Sequence, residues 1–531
     1  MNKKGFAIST ILYGLIFVTI AVLYLVLKLE STRHIANTNY INNLREQLLE
    51  GSSSSIENDN NIGSEKIMAV IREKEADGII TYVTDSDCNS PTENSVIYLS
   101  GSKEDIDFNY VWYSGKMWRV TAIYPDGSMK MITDNAMTSI AFGASDSETF
   151  NSNSYIWQWL NEDFYDTLND YNASVIDTTK NWNIETQNSV TTKLSDSSTS
   201  VVSTNVAMVG LLNSYEYYLS YKKLGSSANG YLNTGYYWWL LNPYSSSAAW
   251  MVKPDGDALK IGASGSNGRG IRPVIYLKPG VTMTGNGTKY DPYIVNNDYE
   301  KASDGDLLNT RNNGEYLKFS DSNALYRIIE IDSSNSSTKI VAMDYALDGA
   351  RKNSGVSETD TSFGVGTTSD TWDYYLNNDW YDSLSFKSIL TTGTYYLGPV
   401  ISNGQTPFCY KLSICSEYSP STTTKNCNKT THWTGYSEKS YAIGLLRYGE
   451  MFSTQQGSEM TPSLDMVLIT RQAYEGSSTS SALLRVYKEG YNTMGGPNFP
   501  YSVRPTYNLS SEVTISSGSG TLNDPFVILN E

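Results

Sequence analysis

The side chains best suited to recognition chemistry in this sequence lie between residues 238 and 270. A tryptophan pair and the segment "LNPYSSSAAW" come first, and the glycine-rich loop "GASGSNGRG" follows at 262–270. Tyrosine and tryptophan supply contact area at small entropic cost, asparagine and arginine supply hydrogen bonds, and glycine lets a backbone approach a partner. We predict a ligand face formed by Asn242, Tyr244, Trp250, Asn267 and Arg269.

This ligand face requires the strand that begins with the tryptophan pair to lie beside the strand "GIRPVIYLK" at 270–278. Pro243 lacks the N–H that a central ladder needs, so we expect the chain to leave the first strand at that point. The glycine-rich loop directly precedes the second strand. Neighbouring strands would therefore bring both loops to the same end of the sheet.

Catalytic and metal-binding chemistry has little raw material in this chain. There are two histidines, His34 and His432, and histidine is the residue most often used for proton transfer and metal binding near neutral pH. Glu162 and Asp163 are paired acids of the kind that an enzyme acting on wall polymers would use, but they fall on the solvated side of a predicted amphipathic helix. We predict no enzymatic activity, no metal and no cofactor, with the wall-polymer enzyme as an alternative.

Nucleic acid is excluded as a partner by charge. The chain has a net charge of −17 at pH 7, and phosphate binding needs an excess of lysine and arginine. The glycine-rich loop at 262–270 has no lysine and no helix after it, so it does not match a phosphate-binding loop either.

Two Arg-Pro dipeptides, at Arg272 and Arg504, occur in similar strands, "IRPVIYL" and "VRPTYNL". A guanidinium group in a fixed position can bind several loop carbonyls or a carboxylate at once. The proline that follows denies the sheet one hydrogen-bond donor, as at an edge or a bulge. We interpret both arginines as structural.

The elements that must position these residues alternate between strands and helices. Pro-Asp-Gly turns at 125–127 and 254–256 predict two hairpins. The segment at 153–168 predicts a capped helix with one apolar stripe, formed by Ile156, Leu160, Phe164 and Leu168. This pattern predicts an α+β fold.

The globular region repeats itself. "MWRVTAIYPDGSMKMI" at 117–132 pairs with "LYRIIEIDSSNSSTKIV" at 325–341, "WQWLNEDFYDTL" with "WDYYLNNDWYDSL", and "VGLLNSYEYY" with "IGLLRYGEMF". Ordered matches of this kind indicate a tandem duplication. We predict a leader, membrane helix and stalk at 1–50, a linker and lead-in at 51–104, a first repeat at 105–297 and a second repeat at 298–531.

The second repeat is longer than the first by about eighteen residues between Leu384 and Gly444. This insertion contains Cys409, Cys415 and Cys427, and the fourth cysteine of the chain is Cys88. A disulfide would restrict such a long polar excursion in the unfolded chain. We predict at least one disulfide among these four cysteines, because their spacing and the lack of a histidine partner argue against zinc.

The N-terminus predicts a membrane anchor. Lys3 and Lys4 precede an uncharged apolar run from Phe6 to Leu27, which is long enough to cross a bilayer as a helix. The lysine pair favours a cytoplasmic N-terminus, with the bulk of the chain outside the cell.

The stretch "KKGFAISTILYGL" also resembles a type IV prepilin leader. This resemblance implies cleavage between Gly5 and Phe6. Thr10 stands where pilins usually carry glutamate, so the resemblance supports processing more strongly than assembly into a filament.

The residues "YYWWLLNPY", the Asp255-Gly256 turn and "GRGIRPVIYL" resemble an uncharacterised extracellular domain family of Gram-positive bacteria. The last third of the repeat is also similar to the formylglycine-generating-enzyme branch of the C-type-lectin-like fold. This resemblance implies two tandem C-type-lectin-like domains with ligands at the loops before the last strand. The active cysteines of that branch and the acidic residue of the calcium-dependent sugar motif have no counterpart here.

Together these features predict a single-pass, pilin-like bacterial surface protein that presents two ligand-binding or adhesive modules. The expected ligand is a glycan, a peptide or a host protein, and other pilin-like subunits are a further class of partner. The alternative is a structural minor pilin or envelope component that only packs against its neighbours.

Overall fold

The computed structural model describes residues 62–84, 95–140, 142–143, 149–168, 175–263, 269–295, 302–332, 335–343, 372–396, 438–446, 466–472, 482–486, 492–495 and 504–530. The chain divides into two compact units, Met1–Asn60 and Asn61–Glu531, and the described residues belong to the second. None of the helices in these ranges is long and apolar enough to span a bilayer. The predicted anchor, the Gly5–Phe6 cleavage site, Asn267 and the four cysteines Cys88, Cys409, Cys415 and Cys427 lie outside them.

The first half of the described chain is built mainly from short strands. Its helices are α1 (Gly63–Ala76), α2 (Tyr155–Gln158, continued by the π-helical turn Trp159–Phe164 and the 3-10 turn Tyr165–Thr167) and α3 (Ser214–Tyr221). Its strands are β1 (Tyr82–Thr84), β2 (Ile97–Leu99), β3 (Tyr110–Tyr113), β4 (Lys116–Ile123), β5 (Met129–Thr133), β6 (Thr138–Ile140), β7 (Asn181–Asn183), β8 (Val201–Ser203), β9 (Trp238–Ser245), β10 (Ala248–Val252), β11 (Ala258–Ile261), β12 (Arg269–Ile271), β13 (Val274–Leu277), β14 (Met283–Thr284) and β15 (Tyr293–Val295).

The second half has the same character. Its helical segments are the 3-10 turn Leu308–Thr310, α4 (Trp372–Tyr375, continued by the π-helical turn Leu376–Trp380), α5 (Tyr381–Ser383) and the 3-10 turn Lys387–Ile389. Its strands are β16 (Tyr316–Phe319), β17 (Tyr326–Ile331), β18 (Thr338–Ala342), β19 (Gly393–Tyr396), β20 (Glu438–Tyr441), β21 (Ile443–Leu445), β22 (Met466–Gln472), β23 (Ala482–Val486), β24 (Asn492–Gly495), β25 (Pro505–Leu509), β26 (Ile515–Ser517) and β27 (Phe526–Ile528). This mixture, in which strands predominate, places the described chain in the predicted α+β class.

The main sheets of the two halves have the same strand order. In the first the order is β13-β5-β4-β3-β15-β14, and β2 and β1 extend it from β4. In the second the order is β25-β18-β17-β16-β27-β26, and β21 lies beyond β25. The final long-range pairing is parallel in both sheets, β15 with β3 and β27 with β16. A tandem duplication accounts for this agreement.

A smaller sheet in the first half has the order β11-β10-β9-β12-β6. Its tryptophan pair is buried on both faces: the Trp238 ring packs edge-on against Tyr217 of α3 at 5.4 Å between centroids, and Trp239 packs against Phe142 at 5.6 Å. Adjacent strand residues point to opposite faces, which is why one ring lies on each side. In the second half β22, β23 and β24 pair in the corresponding antiparallel order.

Side chains cap the first turns of α2 and α3. Ser154 accepts a hydrogen bond from the backbone N–H of Trp157 at the start of α2. At the start of α3, Asn213 accepts from the N–H of Glu216, and the Glu216 carboxylate accepts from the N–H of Asn213. This reciprocal pair satisfies two N–H groups that have no partner within the helix. The predicted stripe of α2 is buried at Ile156, Leu160, Phe164 and Leu168.

The two repeats meet at the turn between β3 and β4. The buried Lys116 ammonium donates to the carbonyl oxygens of Ser114 (2.8 Å) and Thr167 (3.1 Å) in the first repeat. It also donates to the carbonyl oxygen of Asn313 in the second repeat, at 3.3 Å. One side chain therefore joins both repeats through backbone oxygens.

Close backbone packing surrounds this lysine. Gly115 and Gly314 have φ angles of +71° and +102°, and a Cβ atom added to either glycine would collide with backbone across the contact. Trp112 stacks on Tyr316 beside them, with 5.9 Å between ring centroids. Only glycine combines this conformation with this approach.

Candidate functional site

Two of the predicted ligand-face residues come together at one end of the smaller sheet. The rings of Tyr244 in β9 and Trp250 in β10 are nearly perpendicular, with 5.2 Å between centroids. Lys260 in β11 completes the group, because its Nζ lies 4.2 Å from the centroid of the Tyr244 ring and donates to the tyrosine hydroxyl at 3.0 Å. Tyr244 is half-buried and Lys260 is exposed. We call these three residues the aromatic platform.

Asn242 and Trp250, two of the predicted ligand-face residues, hold a neighbouring loop in place. Both are buried. The Asn242 amide donates to the carbonyl oxygens of Asn183 (3.0 Å) and Glu185 (2.8 Å), and the Trp250 indole N–H donates to that of Gln187 at 2.7 Å. These side chains hold the loop at 183–187 against β9 and β10, and Trp250 belongs to the platform as the buried ring that packs against Tyr244.

The reason lies in the course of β9. The strand does not end at Pro243 as predicted but continues to Ser245, with irregular pairing to β10. The Pro243 carbonyl accepts the backbone N–H of Gln187 at 2.9 Å, so the loop covers this part of the strand. Proline is tolerated here because the local ladder is bulged.

Arg269 lies at the other end of the sheet. β12 pairs with β9 in parallel, and Gly270 lies opposite Trp238 at the beginning of β9. Tyr244 lies near the end of that strand, about 20 Å further along at the usual rise per residue. Arg269 instead packs its guanidinium carbon 4.9 Å from the ring centroid of Tyr237. Of the strand predicted at 270–278, only the beginning, in β12, lies beside β9, whereas β13 pairs with β5 in the main sheet. The parallel direction of β12 and β9 separates the two loops.

The platform rests on a hydrogen-bonded support. Gln187 is buried; its side-chain amide donates to the Thr192 carbonyl at 2.8 Å, and its side-chain oxygen accepts from the Ser214 hydroxyl at 2.5 Å. The support therefore connects the loop at 183–192 to the first residue of α3. Side chains held in this way present a preorganised surface.

Lys260 was missed by the sequence reasoning, although a signal for it exists. The hairpin turn at 254–256 was recognised, and pairing outward from that turn sets Trp250 opposite Lys260. Opposite residues of an antiparallel pair project from the same face. The hairpin register alone therefore places a cation beside the predicted aromatic residues.

The two arginines interpreted as structural have equivalent surroundings. Arg272 Nε donates to the carbonyl oxygen of Thr133 at 3.0 Å, and its Nη2 donates to that of Asp134 at 3.1 Å. Arg504 Nε donates to the carbonyl oxygen of Ala342 at 2.6 Å, and its Nη2 donates to that of Met343 at 2.9 Å. Each guanidinium group joins its own strand to the end of the neighbouring strand, which is the geometry that a structural role requires.

Within the described ranges no three His, Cys, Asp or Glu side chains cluster in a way that could hold a metal ion. Glu162, the first of the two acids considered for catalysis, is exposed on its π-helical turn. The side chain of Asp163 lies outside the description. Glu162 by itself does not supply the pair of carboxyl groups that such a mechanism needs.

Residues 127–279 match a family model described as a domain of unknown function (DUF6273). The match begins in the turn between β4 and β5 and ends just after β13, so it includes the aromatic platform and Arg272. No curated protein and no solved structure matches the chain.

Proposed function

We propose that this protein is a membrane-anchored, pilin-like bacterial surface protein whose first repeat binds an extracellular ligand through the aromatic platform. The observation that carries the proposal is the Lys260 ammonium of β11 held 4.2 Å from the centroid of the half-buried Tyr244 ring of β9, across the intervening strand β10. An aromatic face with a positioned cation offers apolar contact and charge-assisted hydrogen bonds at the same place. The uncharged run from Phe6 to Leu27 supports the anchor.

The chemistry of the platform favours ligands that combine a flat or apolar face with oxygen acceptors. Sugars and aromatic or acidic peptides meet this description, so a glycan, a peptide and a host protein remain the ligand classes to compare. The two-sheet α+β architecture and the duplicated strand order support tandem C-type-lectin-like modules. We propose no catalytic role for the platform, because its residues are a tyrosine, a tryptophan and one lysine.

The test is a double substitution of Tyr244 and Lys260 by alanine in the full-length chain, purified in detergent. Glycan and peptide arrays and whole-cell binding would first identify a ligand with the unchanged protein. We expect the double variant to lose at least about tenfold in affinity, because contact residues at the centre of a site often contribute more than about 1 kcal/mol each. The variant should stay folded with a modestly lower melting temperature, since the exposed Lys260 should cost about 0.5 kcal/mol or less and the half-buried Tyr244 ring somewhat more.

The matched control replaces Lys318 and Tyr374 by alanine in the second repeat. Neither residue belongs to the platform, so ligand affinity should be retained. If the platform variant bound as tightly as the control, the binding surface would lie elsewhere. If it unfolded, Tyr244 and Lys260 would be structural.

The alternative is a structural minor pilin or envelope component. The observation that favours it is the close contact between the repeats around Lys116, which makes the described chain suited to act as a spacer. Mass spectrometry of the mature N-terminus from native membranes bears on the pilin part of both proposals. N-methylated Phe6 would support processing by the pilin system, and an intact Met1 would contradict it.

A further inference from the structure

Two buried arginines of the first repeat lie on either side of one short segment. Arg119 Nη1 donates to the Tyr231 carbonyl at 3.1 Å, and Arg272 Nη1 donates to the Leu232 carbonyl at 2.7 Å. Each arginine is only 1% exposed. Because they bind carbonyls of consecutive residues, two like charges are buried close together.

Neither arginine forms an ion pair in the described ranges, although the Asp134 carboxylate lies close enough to favour the charged form of Arg272. The other acceptors of Arg119 are the carbonyl of Ile106 and the side-chain oxygen of Asn109, and those of Arg272 are carbonyls. Throughout the described ranges neither guanidinium group has an acidic side chain within ion-pair distance. Burial lowers the pKa of Arg272 to about 10, so the group stays charged at neutral pH. Buried charges are normally paired, which makes this arrangement unusual.

Two further donors beside the arginines have no acceptor. The Tyr231 hydroxyl and the Trp238 indole N–H are buried and make no hydrogen bond within the described structure. The Tyr231 ring lies 4.9 Å from the guanidinium carbon of Arg119, and the Trp238 ring lies 4.7 Å from that of Arg272. A buried donor without an acceptor costs about 1–3 kcal/mol. Each of these groups would be satisfied by an oxygen-rich anion.

Lys103 stands at the solvent side of this group. The preceding residue, Ser102, pairs with Gly230, and the Tyr231 N–H donates to the Gly101 carbonyl at 3.1 Å, which fixes Lys103 near the arginines. Lys103 is exposed and, over the described chain, forms no hydrogen bond or ion pair. Partial burial lowers its pKa, Asp134 opposes this change, and the two arginines and Lys289 lower the pKa further.

The acids near this group point to other partners. Asp105 accepts from the N–H and the hydroxyl of Ser102, at 3.1 and 2.9 Å. Asp134 accepts from the Asn135 amide at 3.3 Å. Glu104 is exposed. None of the three forms an ion pair with Lys103, Arg119 or Arg272, and Asp134 is the one of them whose charge acts on Lys103 and Arg272. One nearby carboxylate against three cations leaves an excess of positive charge at this place.

We propose that Lys103, Arg119 and Arg272, together with Tyr231 and Trp238, form a binding site for an oxyanion, the carboxylate or phosphate group of a ligand that enters from the Lys103 side. Bound oxygen atoms would compensate the two guanidinium charges and accept from the Tyr231 hydroxyl and the Trp238 N–H. This site is separate from the aromatic platform, because Trp238 begins β9 and Tyr244 lies near its end.

The second repeat lacks the entry residue. Tyr110 and Tyr316 hold equivalent positions, because each lies opposite an arginine of the next strand, Arg119 or Arg327. Ser102 and Ser303 open matching turns, in which the backbone N–H donates to Asp105 and to Asp306, so Asp304 takes the place of Lys103. We therefore expect one oxyanion site in each chain.

The experiment measures binding of inorganic phosphate and of acetate to the full-length chain in detergent, by calorimetry and thermal unfolding, with potassium chloride at matched ionic strength as reference. We expect saturable stabilisation by at least one of the two anions, with one site per chain. Lys103→Met should raise the dissociation constant by about 10- to 100-fold, the range expected for loss of a hydrogen bond to a charged group. Tyr231→Phe should raise it by about tenfold and leave the unliganded protein folded.

Lys318→Met and Tyr374→Phe in the second repeat are the matched controls and should bind like the unchanged chain. Three results would overturn the proposal. They are an absence of stabilisation by either anion beyond chloride, equal anion binding in the Lys103 and Tyr231 variants and the controls, and a loss of stability of Tyr231→Phe in chloride alone. The last result would show that the hydroxyl has a partner in the protein. Preference for phosphate over acetate, or the reverse, would identify which group the ligand carries.

Discussion

The two repeats keep the same contacts where a side chain binds backbone, and they differ where side chains pack on one another. Asn161 and Asn377 show the first kind. Each amide donates to a backbone carbonyl, that of Val209 at 3.0 Å and that of Ile443 at 2.8 Å, and each side-chain oxygen accepts the N–H of the same residue. In each repeat one side-chain amide therefore satisfies both the N–H and the carbonyl of one backbone residue, as a neighbouring strand would.

The environment of the central lysine shows the second kind. In the first repeat Lys130 forms a buried ion pair with Glu216 at 2.6 Å, and its ammonium lies 4.7 Å from the Tyr276 ring centroid. In the second, Asn508 takes the place of that tyrosine opposite Lys339, which lies 4.7 Å from the Tyr395 ring. The comparison teaches that backbone geometry was kept through the duplication while the packing around it was rebuilt.

The largest effect should follow loss of the arginines that join strand ends. Arg272→Met and Arg504→Met each leave at least two buried carbonyls without a donor, and each such group costs about 1–3 kcal/mol. We expect each substitution to lower the free energy of unfolding by about 3 kcal/mol or more, with the local effect confined to its own repeat. Hydrogen exchange resolved by peptide would measure this. Equal loss of protection in both repeats would contradict their structural independence.

A smaller effect is expected from the asparagines that bind Val209 and Ile443. Asn161→Ala removes the hydrogen-bond partners of the Val209 N–H and carbonyl, and Asn377→Ala removes those of the Ile443 N–H and carbonyl. We expect each substitution to cost about 2–3 kcal/mol of unfolding free energy. Thermal unfolding would measure the change. Thr199→Ala, an exposed substitution, is the control, and a cost as small as that of the control would show that these amides are dispensable.

The next effect tests how tightly an aromatic ring packs on the glycine that follows each of these backbone positions, Gly210 and Gly444. A Cβ atom at Gly210 would overlap the Trp182 ring, and one at Gly444 would overlap the Tyr395 ring. Gly210→Ala and Gly444→Ala should each cost about 1–3 kcal/mol through overpacking. Trp182→Leu introduced with Gly210→Ala should recover part of the loss. If the single variants were as stable as the unchanged chain, the rings would have room to move.

The last effect concerns the contact between the repeats and, unlike the others, depends on pH. Burial and the nearby Arg327 guanidinium lower the pKa of Lys116 from 10.5 to about 7, although Glu315, which is paired with Arg311, acts in the opposite direction. Between pH 7 and 10.5 the unfolded chain then binds more protons at this site than the folded chain. Stability should therefore rise with pH across this window, by at most about 1.4 kcal/mol per pH unit, and stay level below it.

Lys116→Met removes this titration. The difference in unfolding free energy between the unchanged chain and the variant should grow steadily from pH 7.5 to pH 10 in urea titrations. Lys318→Met serves as the reference for loss of an ordinary lysine. A constant difference at all pH values would show that Lys116 is charged in the folded protein throughout the range.

Much of the local structure could be predicted from the sequence. The Pro-Asp-Gly turns, the capped α2 stripe and the repeated motifs are local patterns, and hairpins and amphipathic helices depend on residues close together in the chain. The duplication also follows from the sequence, because two copies of one pattern must solve the same packing problem. The structural interpretation of Arg272 and Arg504 came from the same repeated signal.

The position of the site depended on tertiary structure. Whether β12 runs parallel or antiparallel to β9 is set by long-range pairing, and the parallel direction separates Arg269 from Tyr244. Whether Asn242 and Trp250 face solvent depends on the loop at 183–187, which lies more than fifty positions earlier in the chain. The sequence by itself determined residue types, turns and the internal repeat, since these rest on local geometry. Only the tertiary structure decided which side chains meet, because burial and strand direction are properties of contacts between distant segments.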